Sequence, residues 1–509
     1  MDSIGFPLLT VLTFFPLIGI VAILMLKPFK VESDKLIKQI AIATAVITFL
    51  ISIVVVIVFD PNISTLQLVD RADWITVGTL NIDYFLAVDG LSILFVMLTT
   101  LVSLLAIISS WSAIQHQVKL YYVFMLLLLT GMIGVFLAQD LFLFYIFWEF
   151  TLIPMYFLIG MWGGERRVYA SIKFFLYTMA GSLLMLLAIL YLGLTTGTFS
   201  LPDLIAQGAL FANRQWILFL GFAIAFAIKV PIFPFHSWLP DAHTEAPTAG
   251  SVILAGILLK MGTYGFIRFN LPLFPQASID FAPLIAVLAI IGIIYGAIVS
   301  FAQKDVKRLV AYSSVSHLGF VMLGIFSLNA AGLAGGILQG VNHGLSTGAL
   351  FFLVGVLYEQ RHTRAMSAFG GLWRAIPVFT ALSLVVVLSS MGLPGLNGFV
   401  GEFTILLGSM GATEALGQNA WIYTAFATSG VILAAVYLLW MFQRVFMGPL
   451  DKEENKRLRD VNGRELAIFI AFLIFIVWIG IYPQPYFNLM DTSVGDLVDH
   501  LGSMTLALR

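Results

Sequence analysis

Apolar runs of roughly twenty residues follow one another along the whole chain, separated by short polar connections. A run of that length crosses the ~30 Å hydrocarbon core of a bilayer as a helix rising about 1.5 Å per residue. Helix is the form to expect, because in lipid each backbone N–H and C=O must find its partner inside the segment. Fourteen spans result: 6–27, 36–58, 83–109, 120–138, 141–162, 168–196, 214–243, 248–268, 282–302, 308–328, 331–357, 377–411, 420–446 and 465–485. Span 7 is interrupted at "KVPIFPF" (229–235) and span 12 at "GLPGLNG" (392–398). Outside the spans, residues 60–85 alternate enough to predict a short outer hairpin, and "GPLDKEENKRLRDVNGRE" (448–465) reads as a solvated connection of mixed charge. The first apolar run lacks the basic flank and small-residue cleavage site of a signal peptide, so it reads as a retained helix.

Composition agrees with a polytopic membrane protein: 60% of residues are hydrophobic, 10% are charged and the mean hydropathy is +1.00, against about 25% charged in a soluble domain. The absence of cysteine excludes disulfides, thiolate metal sites, iron–sulfur ligation and thiol catalysis together. A net charge of −1 offers nothing to nucleic acid, and no phosphate-binding glycine loop or HExxH motif occurs. Twenty Lys and Arg residues, Lys38 among them, fall in the loops that follow odd-numbered spans; only Arg71, Arg214, Arg268 and Arg509 fall on the other face. Positive residues mark the cytoplasmic side, so both termini are predicted to face away from it. Lys229 and Lys260 remain, and both lie inside spans.

An ionisable group at membrane depth costs at least about 2.5–3.5 kcal/mol on insertion scales, so each one calls for a reason. Glu149 in span 5, Lys229 beside the break of span 7, Lys260 in span 8 and Glu402 after the break of span 12 stand out. One acid and one base could simply pin two helices together. A pin needs only two charges, whereas four in series suit a proton relay, and a buried Lys can release its proton where Arg cannot. His317 and His343 sit mid-span in "AYSSVSHLGFVML" and "LQGVNHGLSTGALFF". Each alone reads as a core histidine; together with Ser313, Ser314, Ser316, Asn342, Ser346 and Thr347 they predict a hydrated strip joining the charges. His236, Asp241 and His243 follow the span 7 break and read equally as an inlet or as a solvated loop; their spacing matches no zinc signature. His116, His362 and His500 read as ordinary interfacial residues.

Two interrupted spans at matching places, five spans apart, are the sequence mark of an inverted-repeat transporter. Spans 4–8 and 9–13 form the two halves, oppositely oriented because five is odd. Glu149 then corresponds to His317, and Lys229 to Glu402. Freed backbone groups survive there only where protein or water satisfies them, which makes each break a polar, hydratable spot beside an ionisable residue.

The same residues carry a family resemblance. "FWEF" around Glu149, "AIKVPIFPFHSWLPDAHTEAPTAGSVILAGILLKMGTYGFIRF" (227–269), "FAQKDVKRLVAYSSVSHLGFV" (301–321), "HGLSTGALFFLVGVLYEQRHTR" (343–364) and "LPGLNGFVGEF" (393–403) resemble the antiporter-like membrane subunits of respiratory complex I. Of the three paralogous channels in that family, Glu at 402 fits one and Lys fits the other two. The resemblance implies an all-α fold of about 14 transmembrane helices with two inverted five-helix repeats. It also implies a division into N-terminal helices (1–110), a proton-translocating core (111–447) and a cytoplasmic loop with a C-terminal helix (448–509). The implied proton route is Glu149, Lys229, Lys260, His317, His343 and Glu402, with Glu149 tuning Lys229. FMN, iron–sulfur clusters and quinone are expected in partner subunits and none in this chain, with neighbouring antiporter-like paralogues as partners in a bacterial inner membrane. Three other readings stay open: a cation/proton antiporter of the Mrp type, the equivalent subunit of a membrane-bound hydrogenase or ferredoxin-dependent photosynthetic complex, and a non-conducting scaffold.

Overall fold

The computed structural model describes residues 6–26, 33–78 and 80–507; Lys27, Lys30 and Arg509 from the charge count lie outside them. Among the described residues, thirteen helices are long and apolar enough to cross a membrane. The fourteenth crossing, span 12, is built from two helices, Pro377–Ser390 and Asn397–Met410. At 14 residues each, neither half reaches across a bilayer alone, since that length covers only about 21 Å. Span 7 stops at Lys229 (helix Gln215–Lys229), and the chain resumes as the short helix Trp238–Glu245.

The hairpin is longer than the alternation suggested. Strand β1 (Gln67–Val77) pairs antiparallel with β2 (Leu80–Val88). Residues 83–88, expected in span 3, therefore belong to a strand, and the helix begins at Ile93. The apolar run misled because β2 is buried against the helix bundle and needs no polar face. Asp89 makes the turn between the two, accepting from the backbone N–H groups of Leu91 (3.0 Å) and Ser92 (3.2 Å).

A second departure lies at the C-terminus. After span 14 (Gly463–Ile481), helix Gln484–Ala507 runs along the hairpin face, where the Gly90 N–H donates to Ser493 Oγ (3.0 Å) and Thr492 Oγ1 donates to the Pro61 carbonyl (2.7 Å). Thr10, at the start of span 1, donates to Asp70 of β1. The start of span 1, the hairpin and the last helix thus share one face. On the opposite face the 448–465 connection is docked rather than free. Asn455 is buried, accepts from Arg361 Nε (3.1 Å) and donates to the Ala368 carbonyl (3.3 Å).

Several basic residues assigned to loops prove to be helical. Lys38 is buried in the first turns of span 2 and donates to the Trp111 (2.8 Å) and Ile114 (3.1 Å) carbonyls, and Arg268 is buried inside span 8. Long cationic side chains near helix ends reach back to polar groups, so the loop count overstates how many of them are solvated.

Span 8 (Thr248–Leu273) packs against the broken span through Gly262. A Cβ there would sit 2.7 Å from Val230 Cγ2, 2.9 Å from the Phe226 carbonyl oxygen and 3.0 Å from the Val230 nitrogen. Two of these neighbours are backbone, so they cannot turn aside. Gly262→Ala is expected to destabilise the packing by about 1–3 kcal/mol and to lower the amount of assembled protein on native gels. Wild-type abundance and thermal stability would show that the helices separate freely.

Candidate functional site

Both breaks are satisfied by protein. At span 7, Trp238 Nε1 donates to the Ile228 carbonyl (2.8 Å) and the Ile232 N–H to the Ala227 carbonyl (2.9 Å), so protein groups cap these freed carbonyls at the end of the helix. The Lys229 ammonium lies 5.1 Å from the Trp148 ring centroid and 5.8 Å from that of Phe174, at 1% exposure. Aromatic faces attract a desolvated cation without fixing its proton in a hydrogen bond. Glu149, the residue after Trp148, is half-buried and within electrostatic reach of Lys229, but the two form no direct ion pair; Glu149 Oε1 is buried without a hydrogen-bond partner. A pin between helices 5 and 7 through that pair is therefore absent.

At span 12, Asn397 gathers the loose ends. Its Oδ1 accepts from Ser389 Oγ (2.5 Å) and Ser346 Oγ (3.2 Å), and its carbonyl accepts from Asn342 Nδ2 (2.7 Å). Gly392 takes φ +78°, and a Cβ there would lie 2.8 Å from Glu402 Oε2, so the turn and the carboxylate both require glycine.

Between the breaks runs a line of buried titratable groups. Lys260 donates to the Ala255 carbonyl freed by a π-turn in span 8, and its Nζ lies 2.6 Å from His343 Nδ1. The His343 and His317 rings are 5.9 Å apart between centroids. His317 Nδ1 lies 3.2 Å from Glu402 Oε1, and Gln339 Nε2 donates to the same oxygen (3.1 Å). A cavity of about 10 Å³, room for one water, lies among His317, Gln339, Asn342, His343, Ser346 and Ser389. The structure thus brings Lys260, His343, His317 and Glu402 together, and sets Glu149 and Lys229 at the first break, where Val230 touches Gly262 two residues from Lys260.

The polar strip differs in part from its expected membership. Asn342, Ser346 and Thr347 line it, and Ser313, which donates to the Val310 carbonyl, also meets the Tyr437 hydroxyl, whereas Ser314 donates to the Val310 carbonyl and Ser316 to that of Ile293. Gln339 and Tyr437, whose hydroxyl lies 3.3 Å from His317 Nε2, join as well. Neither stood out, since a lone Gln or Tyr in an apolar run carries no charge. His243 is not in a solvated loop: it is fully buried, stacked on Phe351 at 4.5 Å, and both ring nitrogens lack hydrogen-bond partners. His236 packs on Tyr295, and Asp241 pairs with Lys173 (2.7 Å), so the three residues do not converge. Nearer the basic loops, a cavity of about 100 Å³ is lined by Glu245, Lys307 and Arg364.

Comparison with known proteins places this geometry. Residues 138–428 match the family described as NADH:quinone oxidoreductase/Mrp antiporter, transmembrane. The chain is 44% identical over 506 residues to NADH-quinone oxidoreductase subunit M of Rhodobacter capsulatus, covering 97% of this chain and 96% of that one. It is likewise 44% identical to NADH-ubiquinone oxidoreductase chain 4 of Arabidopsis thaliana, covering 95% and 96%. Among solved structures, a chain of respiratory complex I from Thermus thermophilus with bound NADH superimposes with a TM-score of 0.85 at 31% identity, covering 97% and 99%. A chain of an archaeal membrane-bound sulfane sulfur reductase superimposes with a TM-score of 0.82 at 26% identity, covering 94% and 77%. With identity of this level over nearly its whole length, the chain belongs to the antiporter-like membrane subunits of NADH–quinone oxidoreductase, in the subunit M branch.

Proposed function

We propose that this chain translocates protons within an NADH–quinone oxidoreductase, driven by quinone reduction in other subunits. The observation that carries the reading is the buried line from Lys260 through His343 and His317 to Glu402, with a water-sized cavity between the two histidines. Each member can take up and release a proton, and the line ends beside the break in span 12, where a small local rearrangement changes access. Lys229 loads the line at the other break, and Glu149 sets its proton affinity from a short distance without clamping it. Redox chemistry belongs to partner subunits that hold FMN, iron–sulfur clusters and quinone; this chain has no cysteine with which to ligate a cluster.

Residues 111–447 form the translocating core, and the flanking segments 1–110 and 448–509 brace it. The basic face is cytoplasmic in a bacterial inner membrane, and the hairpin face with both termini lies outside.

The test is Glu149→Ala, with NADH-driven proton uptake measured in inverted vesicles and assembly checked on native gels. Uptake is expected to fall by on the order of tenfold as the charge that favours protonated Lys229 is lost, with Glu149→Asp milder. Normal uptake by the Ala variant in a fully assembled complex would remove Glu149 from the mechanism.

A further inference from the structure

Lys260 has neighbours along its own helix as well as beside it. Tyr264 and Arg268 follow at i+4 and i+8, on the same side of span 8, and lead about 12 Å toward the hairpin face. These groups do not resemble the titratable line that runs sideways. The Tyr264 hydroxyl donates to the Phe136 carbonyl (3.0 Å) and accepts from Arg268 Nε (2.9 Å). The Arg268 guanidinium is buried and donates to both oxygens of Asp89, which also receives the Leu91 and Ser92 N–H groups. Around Tyr264 the rings of Phe95 and Phe136 pack at 6.1 and 5.2 Å, and Phe95 lies close to Gly340, as does the Lys260 side chain. The last helix lies over this corner, with His500 Nε2 3.1 Å from the Pro272 carbonyl.

We infer that Arg268, held by Asp89 above the collar of Phe95, Phe136 and Tyr264, is an electrostatic seal that closes the direct path from Lys260 to the hairpin face. The inference rests on the proton route through Lys260 proposed above. A relay needs a group that can both accept and release a proton. Arg268 cannot release its proton, and its fixed charge repels any arriving one. The Tyr264 hydroxyl has its only hydrogen committed to a backbone oxygen, and the Asp89 carboxylate accepts four donors, so neither is free to hand a proton onward. The rings exclude the water that would bridge the gap. A proton on Lys260 is left with the sideways step to His343.

The experiment measures passive proton leak: decay of an imposed pH difference across vesicles carrying the whole complex, without NADH. Arg268→Gln keeps hydrogen-bonding capacity and removes the charge, and decay is expected to quicken by on the order of tenfold. Asp89→Asn leaves the cation in place and should stay tight, whereas a merely structural pair would be loosened by either change. Adding Lys260→Met to Arg268→Gln should restore tightness, because the leak starts at Lys260. If Arg268→Gln does not assemble, Arg268→Lys carries the test: its ammonium can release a proton, so an intermediate leak is expected. Wild-type decay in an assembled Arg268→Gln or Arg268→Lys complex, or equal leak from Asp89→Asn, overturns the seal. Because no turnover is involved, these outcomes are separate from the pumping assays: a Glu149 or Glu402 variant that pumps normally refutes the translocation route and leaves the leak result readable.

Discussion

Lys229→Arg is expected to stop NADH-driven proton uptake almost as completely as Lys229→Ala. Arginine keeps the charge and can still lie over Trp148 and Phe174, 5.1 and 5.8 Å from the present ammonium, so a helix pin or a simple counter-charge would survive the exchange. What does not survive is release of the proton, since a guanidinium stays protonated at any working pH. Loss on the order of a hundredfold, the low end of what removing an acid–base group costs, is expected for both variants, with assembled complex on native gels. Lys229→Arg pumping like the unaltered protein would end the relay assignment for this residue.

Glu402→Gln tests the other end. The amide retains the shape of the side chain and an oxygen that can accept from Gln339, now 3.1 Å away, so packing against Gly392 and His317 is preserved. Titration alone is lost. Proton uptake is expected to fall by on the order of ten- to a hundredfold, while Glu402→Asp, which titrates on a shorter arm, keeps much of it. If hydrogen bonding were all that position 402 supplied, Gln would pump and Asp, pulled back from His317, would be the weaker variant. The order of the two variants decides the matter, and uptake in inverted vesicles reads it directly.

Much of the architecture was legible because the bilayer leaves few choices. Length and apolarity place the spans, and proline and glycine clusters place the breaks within a few residues of where the helices stop, at Lys229 and Ser390. The buried charges were legible for the same reason: nothing else explains Lys260 between apolar turns. Legibility ended where a residue's role depends on what another segment brings to it. Gln339 and Tyr437 matter only because Glu402 and His317 arrive beside them from other helices. Arg268 was counted as a surface cation because Asp89 is 179 positions away. The strand β2 was mistaken for the start of a helix because burial on both sides erases the alternation that identifies a half-wet strand. The last helix, Gln484–Ala507, escaped notice because it lies on the bundle rather than through it and lacks a continuous apolar run.

The 2.6 Å separation of Lys260 Nζ from His343 Nδ1 has a consequence for how charge is counted in the middle of the route. Two nitrogens that close share one hydrogen between a donor and a lone pair, and two cations at that distance in a dry interior would repel by many times thermal energy. Together they form a single station that holds one excess proton, which sits on the lysine or on the imidazole but not on both. On the proposed route, loading the pair from the Lys229 side therefore requires that it first be emptied toward His317. Protons taking that route would pass this point in single file, and a new arrival could not overtake the one ahead.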